Sequence, residues 1–303
     1  MSPLSDIVSR LKISSQRVVS FEFKNNTKAV FPEYDGMKIY IAKKGRLFFK
    51  AQGDKKIYPF NEGDIVILSS GKAFDIFDHD SAECIDIDKI QVVKGGSTFF
   101  TNGGDDFSFI GCRFVLHINE TIRFITALPE PIIISAQSEE NNVISDFLIH
   151  LFSEIKKPKP GSELITEHLL QIILTQALRV HIFTGASGGE EGMFYALTDN
   201  NIGPVLTCLH QQPGRKWLLD ELASVAGMSR SAFTSKFRRL LGCSVKKYIR
   251  IWRFSLAIDR MIRNKETISQ IAFDLGYESE SAFSTAFKKV MGESPRNYIS
   301  NLY

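Results

Sequence analysis

Residues 268–298 read ISQIAFDLGYESESAFSTAFKKVMGESPRNY, and a stretch fifty residues upstream carries the same pattern. Ser231-Ala232-Phe233 returns as Ser281-Ala282-Phe283, Phe237 as Phe287, and Arg238-Arg239 as Lys288-Lys289. Gly242 returns as Gly292, Ser244 as Ser294, and Tyr248-Ile249 as Tyr298-Ile299. Further upstream the offset drops to 49, where Leu222-Ala223 and Gly227 answer to Ile271-Ala272 and Gly276. One residue is therefore inserted in the second copy, within an internal duplication.

Each copy predicts the same local structure. A short helix (219–226; 268–275) ends at a glycine free to take positive φ. A second helix then starts at an N-capping serine, Ser229 or Ser279. Its apolar stripe is Ala232, Phe233, Phe237, Leu240 and Leu241 in one copy, and Ala282, Phe283, Phe287, Val290 and Met291 in the other. These residues are expected in the core, the four phenylalanines included. Such a unit is a helix-turn-helix, whose second helix is shaped to enter a DNA major groove. Between the copies, residues 245–263 predict one long helix that fixes their spacing. Two motifs in successive grooves on one face of DNA must sit roughly 34 Å apart.

Charge divides the chain in the same place. From residue 205 to the end there are 16 Lys and Arg against 8 Asp and Glu, while the preceding part has 21 against 26. A basic C-terminal third beside an acidic remainder points to a polyanionic partner.

The N-terminal part has a different period. Short β-rich runs at 18–23, 38–41, 46–50, 57–60, 65–68 and 74–77 alternate with Gly- and Asp-containing turns, and 84–87, 107–117 and 131–134 extend the series. Such spacing predicts an antiparallel sandwich or small barrel, able to pack solid or to hold one small ligand. Helical periodicity follows over 141–156, a Lys-Pro-Lys-Pro-Gly breaker, and a second helix over 162–183 with Ser162 as its N-cap. This helical pair must bury its apolar face against the β-domain or against a second subunit. Residues 185–192 (GASGGEEG) predict a linker, and 194–211 a further helix. The expected organisation is a β-domain over 1–140, a helical dimerisation region and linker over 141–192, and a helical domain over 193–303 with its motifs near 219–241 and 268–291.

Composition closes off other classes. At 303 residues, 44% hydrophobic and 23% charged, the chain is neither disordered nor collagen-like nor a disulfide-stapled mini-protein. No apolar run approaches the roughly 18 residues of a membrane span. The first ten residues lack a secretory h-region, and the four dispersed cysteines read as reduced thiols, so a cytoplasmic location is expected. The six histidines show no ligand spacing, although His168 and His181 are expected to share one face of their helix.

Residues 217–299 resemble the double helix-turn-helix module of AraC/XylS transcription regulators. The signature elements are Ile271-Ala272, Gly276-Tyr277, Ser281-x-Phe283, Phe287-Lys288 and Pro295-x-x-Tyr298. The N-terminal part is similar to the cupin-type effector domain of one branch of that family, through Pro3-Leu4-Ser5-Asp6, Asn61-Glu62-Gly63-Asp64, Gly111-Cys112-Arg113-Phe114 and Pro160-Gly161-Ser162. The resemblance implies a multidomain α+β protein: a cupin-like antiparallel β-barrel, a helical dimerisation region, and an all-α double helix-turn-helix.

It also implies a sequence-specific regulator, of the activating kind, acting as a homodimer on double-stranded promoter DNA. RNA polymerase and a small-molecule, redox or electrophile signal are the further expected partners; neither a membrane nor a cofactor is. By motif position, base contacts fall to Arg230, Ser231, Thr234 and Ser235 in the first copy and Glu280, Ser281, Ser284 and Thr285 in the second. Phosphate contacts fall to Lys236, Arg238, Arg239, Lys288, Lys289 and Arg296. Short hydroxyls here replace the longer readers of many relatives, which implies weak direct readout and a share for DNA shape. Cys112 is the redox-sensor candidate, weighed against a buried, inert thiol. Cupin metal sites use His-x-His, and 45–63 contain no histidine, so neither a metal nor enzymatic activity is expected. A cupin-type enzyme with a DNA-binding tail, and an architectural protein with an inert β-domain, are the competing classes.

Overall fold

A computed structural model of the chain describes residues 3–8, 14–34, 36–69, 71–87, 91–94, 97–115, 131–136, 142–184, 192–263 and 266–301. Two compact units emerge. One holds the strands and the helical pair. The other gathers the short first helix with everything from Met193 onward.

The β-unit contains twelve described strands: β1 Ser14–Phe23, β2 Thr27–Phe31, β3 Met37–Lys44, β4 Arg46–Ala51, β5 Tyr58–Asn61, β6 Ile65–Leu68, β7 Phe74–Phe77, β8 Glu83–Asp86, β9 Gln91–Lys94, β10 Ser97–Thr101, β11 Phe107–Val115 and β12 Ile132–Ile134. They form a seven-stranded sheet, β12-β6-β3-β11-β1-β10-β9, and a five-stranded sheet, β5-β4-β7-β2-β8. The expected barrel is thus two packed sheets rather than one closed cylinder, and two pairings, β1 with β10 and β2 with β8, are parallel. Strands β2, β9 and β10 have no counterpart among the expected β-rich runs. β2 is five residues long and follows directly on a tight turn whose last residue, Asn26, has φ 64°.

Alternation along the strands sends aromatic rings between the sheets. Phe21, Phe23, Tyr40, Phe107 and Phe109 from one sheet meet Phe31, Phe49, Phe60 and Phe74 from the other in a single buried cluster. Phe31 stacks on Phe74 at 4.5 Å, and Phe21 on Phe109 at 4.7 Å. The Asn61–Asp64 turn is fixed by its own carboxylate. Asp64 is buried and accepts N–H bonds from Asn61 and Ala136, both at 2.8 Å. Gly63 sits at φ 83°, and a Cβ there would come within 2.8 Å of Ala136 Cβ.

On the other face of the large sheet, Ile39, Ile41, Ile65, Ile67, Ile110 and Cys112 are also buried. Helices α2 (Asn142–Lys156) and α3 (Ser162–Thr184) pack on each other, and α3 on β12. Ser162 does not cap its helix as expected. Its hydroxyl accepts from the Lys159 N–H at 2.7 Å and donates to Glu154, which pins the turn between the helices. His168 is exposed and His181 buried, so they do not share a face: thirteen residues at about 100° each lie nearer to opposite sides.

The helical unit contains α1 (Pro3–Val8), α4 (Met193–Thr198), α5 (Ile202–Gln211), α6 (Leu219–Val225), α7 (Arg230–Leu241), α8 (Val245–Arg263), α9 (Ile268–Asp274), α10 (Glu280–Met291) and α11 (Pro295–Ser300). The single helix expected over 194–211 is broken at residues 199–201. Asp199 Oδ1 accepts the N–H groups of Asn201 and Ile202, both at 2.9 Å, and so starts α5 afresh. Pro204 falls in the first turn of α5, where no intrahelical donor is lost. Residues 185–191 of the expected linker lie outside the described residues.

Candidate nucleic-acid interface

One core serves both motifs. Phe233, Phe237, Leu240, Phe283 and Phe287 are buried with Tyr248, Trp252 and Phe254 of α8 and with Leu206 and Leu209 of α5. The four motif phenylalanines are core residues, as their spacing predicts. The two turns share their anchoring bonds but differ in length, with two residues from Gly227 to Ser229 and three from Gly276 to Ser279. Gly227 (φ 62°) and Gly276 (φ 80°) end the first helices, and the N–H groups of Met228 and Tyr277 reach back to Ala223 and Ala272 at 3.0 and 2.9 Å. Ser229 and Ser279 accept from Ala232 and Ala282 N–H at 3.3 and 3.1 Å, capping the second helices.

With the phenylalanines turned inward, a polar face is left on each second helix. On α7, Arg230, Ser231 and Ser235 are exposed and Thr234 is half-buried. Arg230 forms a surface pair with Asp220 at 3.4 Å, a contact weak enough in water to exchange for a phosphate or base edge. The Thr234 hydroxyl donates to the Ser231 carbonyl at 3.0 Å, which leaves its oxygen lone pairs as acceptors. On α10, Ser281 and Thr285 are exposed, and Glu280 and Ser284 half-buried. Ala232 and Ala282 depart from the expected stripe, because both are exposed beside these residues. A helical step of about 100° from the inward phenylalanine carries each methyl onto the polar face. Hydrophobicity alone places them in the stripe; their offset from Phe233 and Phe283 is the signal that removes them.

The basic residues differ in what they do. Arg238, Arg239, Lys288, Lys289 and Arg296 are exposed. Lys236 is turned into the protein, its Nζ 2.8 Å from Asp199 Oδ2 and 2.7 Å from Asn201 Oδ1. Burial by itself would raise the Asp199 carboxyl. The Lys236 ammonium and the Ile202 and Asn201 N–H groups outweigh it and hold the carboxyl below its usual range. Lys236 thereby fastens α7 to the start of α5.

Beneath the polar faces, His210 lies in the core of the helical unit. Its Nε2 is 2.7 Å from the Tyr248 hydroxyl, its ring stacks on Trp252 at 3.8 Å, and Asp6 of α1 comes within 3.5 Å of Nδ1.

In the β-unit, Cys112 is 4% exposed, and its neighbours across the sheet are Val18 and Ile39. Burial, and secondarily the negative charge of Glu167, push its thiol up to about 12. Cys84 is exposed on β8, in the other sheet, and all four cysteines are free thiols. Among the described residues no group of His, Cys, Asp and Glu is placed to hold a metal ion.

Paired helix-turn-helix units on one core, joined in one chain to a double-sheet β-domain, define a DNA-binding transcription regulator. Residues 2–182 match the cupin family, and residues 222–301 match a helix-turn-helix domain family. An AraC-like transcription regulator of Streptomyces antibioticus is 28% identical over 98% of each chain. The HTH-type transcriptional regulator AlkR of Acinetobacter baylyi is 28% identical over 78% of this chain and 79% of its own. The RCS-specific HTH-type transcriptional activator RclR of Escherichia coli is 28% identical over 58% of this chain and 62% of its own. The chain belongs to the AraC/XylS transcription regulators that carry an N-terminal cupin domain. No helix among the described residues is long and apolar enough to cross a membrane.

Proposed function

We propose that the chain binds promoter DNA by laying α7 and α10 in successive major grooves. The observation that carries this reading is the pair of capped helices 50 residues apart on one core, each turning a short-side-chain polar face outward. Arg230, Ser231, Ala232, Thr234 and Ser235, with Glu280, Ser281, Ala282, Ser284 and Thr285, approach the base edges. Hydroxyls accept or donate there, the methyl groups meet thymine methyls, and Glu280 accepts from an exocyclic amine. Arg238, Arg239, Lys288, Lys289 and Arg296 neutralise phosphates. Lys236 holds α7 in place.

The domain division we favour is 1–140, 141–192 and 193–303, with the Pro3–Val8 helix seated on the helical domain. The cupin domain receives the signal, and its ring-filled interior favours an apolar or aromatic molecule. A role for Cys112 as sensor requires opening of its packed site before a thiolate can form. Homodimerisation falls to the helical pair, whose Leu164, Ile165, Ile172 and Ile149 are exposed. The protein works in the cytoplasm, by binding alone and without a cofactor. It activates transcription through RNA polymerase, in line with the activator named among its relatives. The test is a binding titration on the DNA upstream of its own reading frame against scrambled DNA. Selective binding supports the reading, and equal binding to both contradicts it.

A further inference from the structure

Both motifs end their first helix on a left-handed glycine, yet only the second is held there. A Cβ on Gly227 would meet nothing within 4 Å. A Cβ on Gly276 would lie 2.1 Å from the Gly214 carbonyl oxygen, and one on Gly214 2.1 Å from the Asp274 carbonyl oxygen. Here backbone is pressed on backbone, and neither side can yield as a flexible side chain does. Residues 213–216, which leave α5, thus seat against the turn of the second motif. Arg253 of α8 fastens them: Nε donates to the Pro213 carbonyl at 2.6 Å and Nη2 to the Arg215 carbonyl at 3.0 Å. Its guanidinium stands 5.8 Å from the Tyr277 ring, in the same turn. Lys216 pairs with Glu278 at 2.8 Å on the outside.

We propose that this clamp sets the position of α10 relative to α7, and that Arg253 is a positioning residue for half-site spacing. The inference rests on the reading that both motifs enter DNA. Ser279, which caps α10, is three residues beyond Gly276. A shift of the turn is therefore delivered to the N-terminal end of the helix, the end that reads bases in this motif class. Helix α8 carries the second motif through Phe254, which packs on Phe283 and Phe287. The clamp adds a second tie, between the segment that follows α5 and the turn of the second motif, so the pair presents one spacing.

The experiment uses full-length protein and duplexes selected by it from a random pool, with two base pairs then inserted between the half-sites. Anisotropy titration of the wild type is expected to show a loss of about tenfold or more on insertion. In Arg253→Lys, which keeps the charge but not the fork, and in Gly214→Ala, the loss is expected to shrink to about threefold or less. Affinity for a single first-motif half-site stays at the wild-type value. An unchanged insertion penalty, or equal losses on every duplex including the half-site, overturns the clamp. Thermal melting checks folding, and Arg253→Lys, which leaves the backbone contact in place, carries the test where Gly214→Ala does not fold. A wild type that selects no duplex contradicts the DNA reading itself, a result distinct from failure of the clamp.

Discussion

Lys236 Nζ stands 2.8 Å from Asp199 Oδ2, and this pair joins the recognition helix α7 to the start of α5. Both side chains are mostly shielded, at 20% and 11% exposure, and Asp199 also caps α5 through two N–H bonds. A residue that motif position offers as a phosphate contact is thereby occupied within the protein. Lys236→Met is expected to destabilise the helical unit by about 1–3 kcal/mol, the cost of stranding a partly buried carboxylate. It should leave the salt slope of DNA binding unchanged. A slope that falls by a full unit would place Lys236 on the DNA after all.

Acid should weaken the same joint. The folded carboxyl of Asp199 lies below its ordinary value, so its stabilising contribution is complete above the unfolded value near pH 4 and is lost as pH falls through the folded one. Thermal melts between pH 6 and 3 should show a smaller acid-induced drop in Asp199→Asn than in wild type, from a lower starting point.

The exposed cations are expected to behave differently from Lys236. Arg238→Ala and Lys288→Ala should each reduce the slope of log K against log salt by about one and weaken all DNA sequences alike. Loss of sequence preference with an unchanged slope would assign either residue to bases.

Ala232 and Ala282 carry a steric prediction. Both are exposed, so Ala282→Leu should leave the melting temperature within a few degrees of wild type. DNA affinity should fall at least about tenfold if the methyl faces a groove. Equal affinity in a folded variant would remove Ala282 from the interface.

Thiol chemistry separates the two cysteines of the β-unit. Burial raises Cys112 to about 12, so at pH 7.5 an aromatic disulfide reagent should modify exposed Cys84 readily and Cys112 only after denaturation. Rapid reaction of Cys112 in the folded protein would restore it as a direct sensor.

The duplicated motif was legible in the sequence because three constraints coincide at fixed offsets: a left-handed glycine, a capping serine and inward phenylalanines. Gly227 and Gly276, Ser229 and Ser279, and Phe233 and Phe283 each have few chemical substitutes, so their repetition is informative. The role of Lys236 was not legible. Its partner Asp199 is 37 residues away, and only the packing of α7 on α4 and α5 brings them together. Gly214 and Arg253 were hidden for the same reason, since a backbone-to-backbone contact with Gly276 leaves no pattern in composition or period. The β-domain shows the opposite limit. Alternation located most strands, but whether they close a barrel or form two sheets depends on pairings such as β2 with β8, which local sequence does not encode.

The central claim is that two matched recognition helices bind one stretch of promoter DNA. Hydroxyl-radical footprinting of the full-length protein on its own upstream DNA tests it most directly. The account predicts two protected segments on one face of the duplex, about one helical turn apart, and loss of only the downstream or upstream one in Ala282→Leu. A single protected segment that Ala282→Leu leaves intact would contradict it.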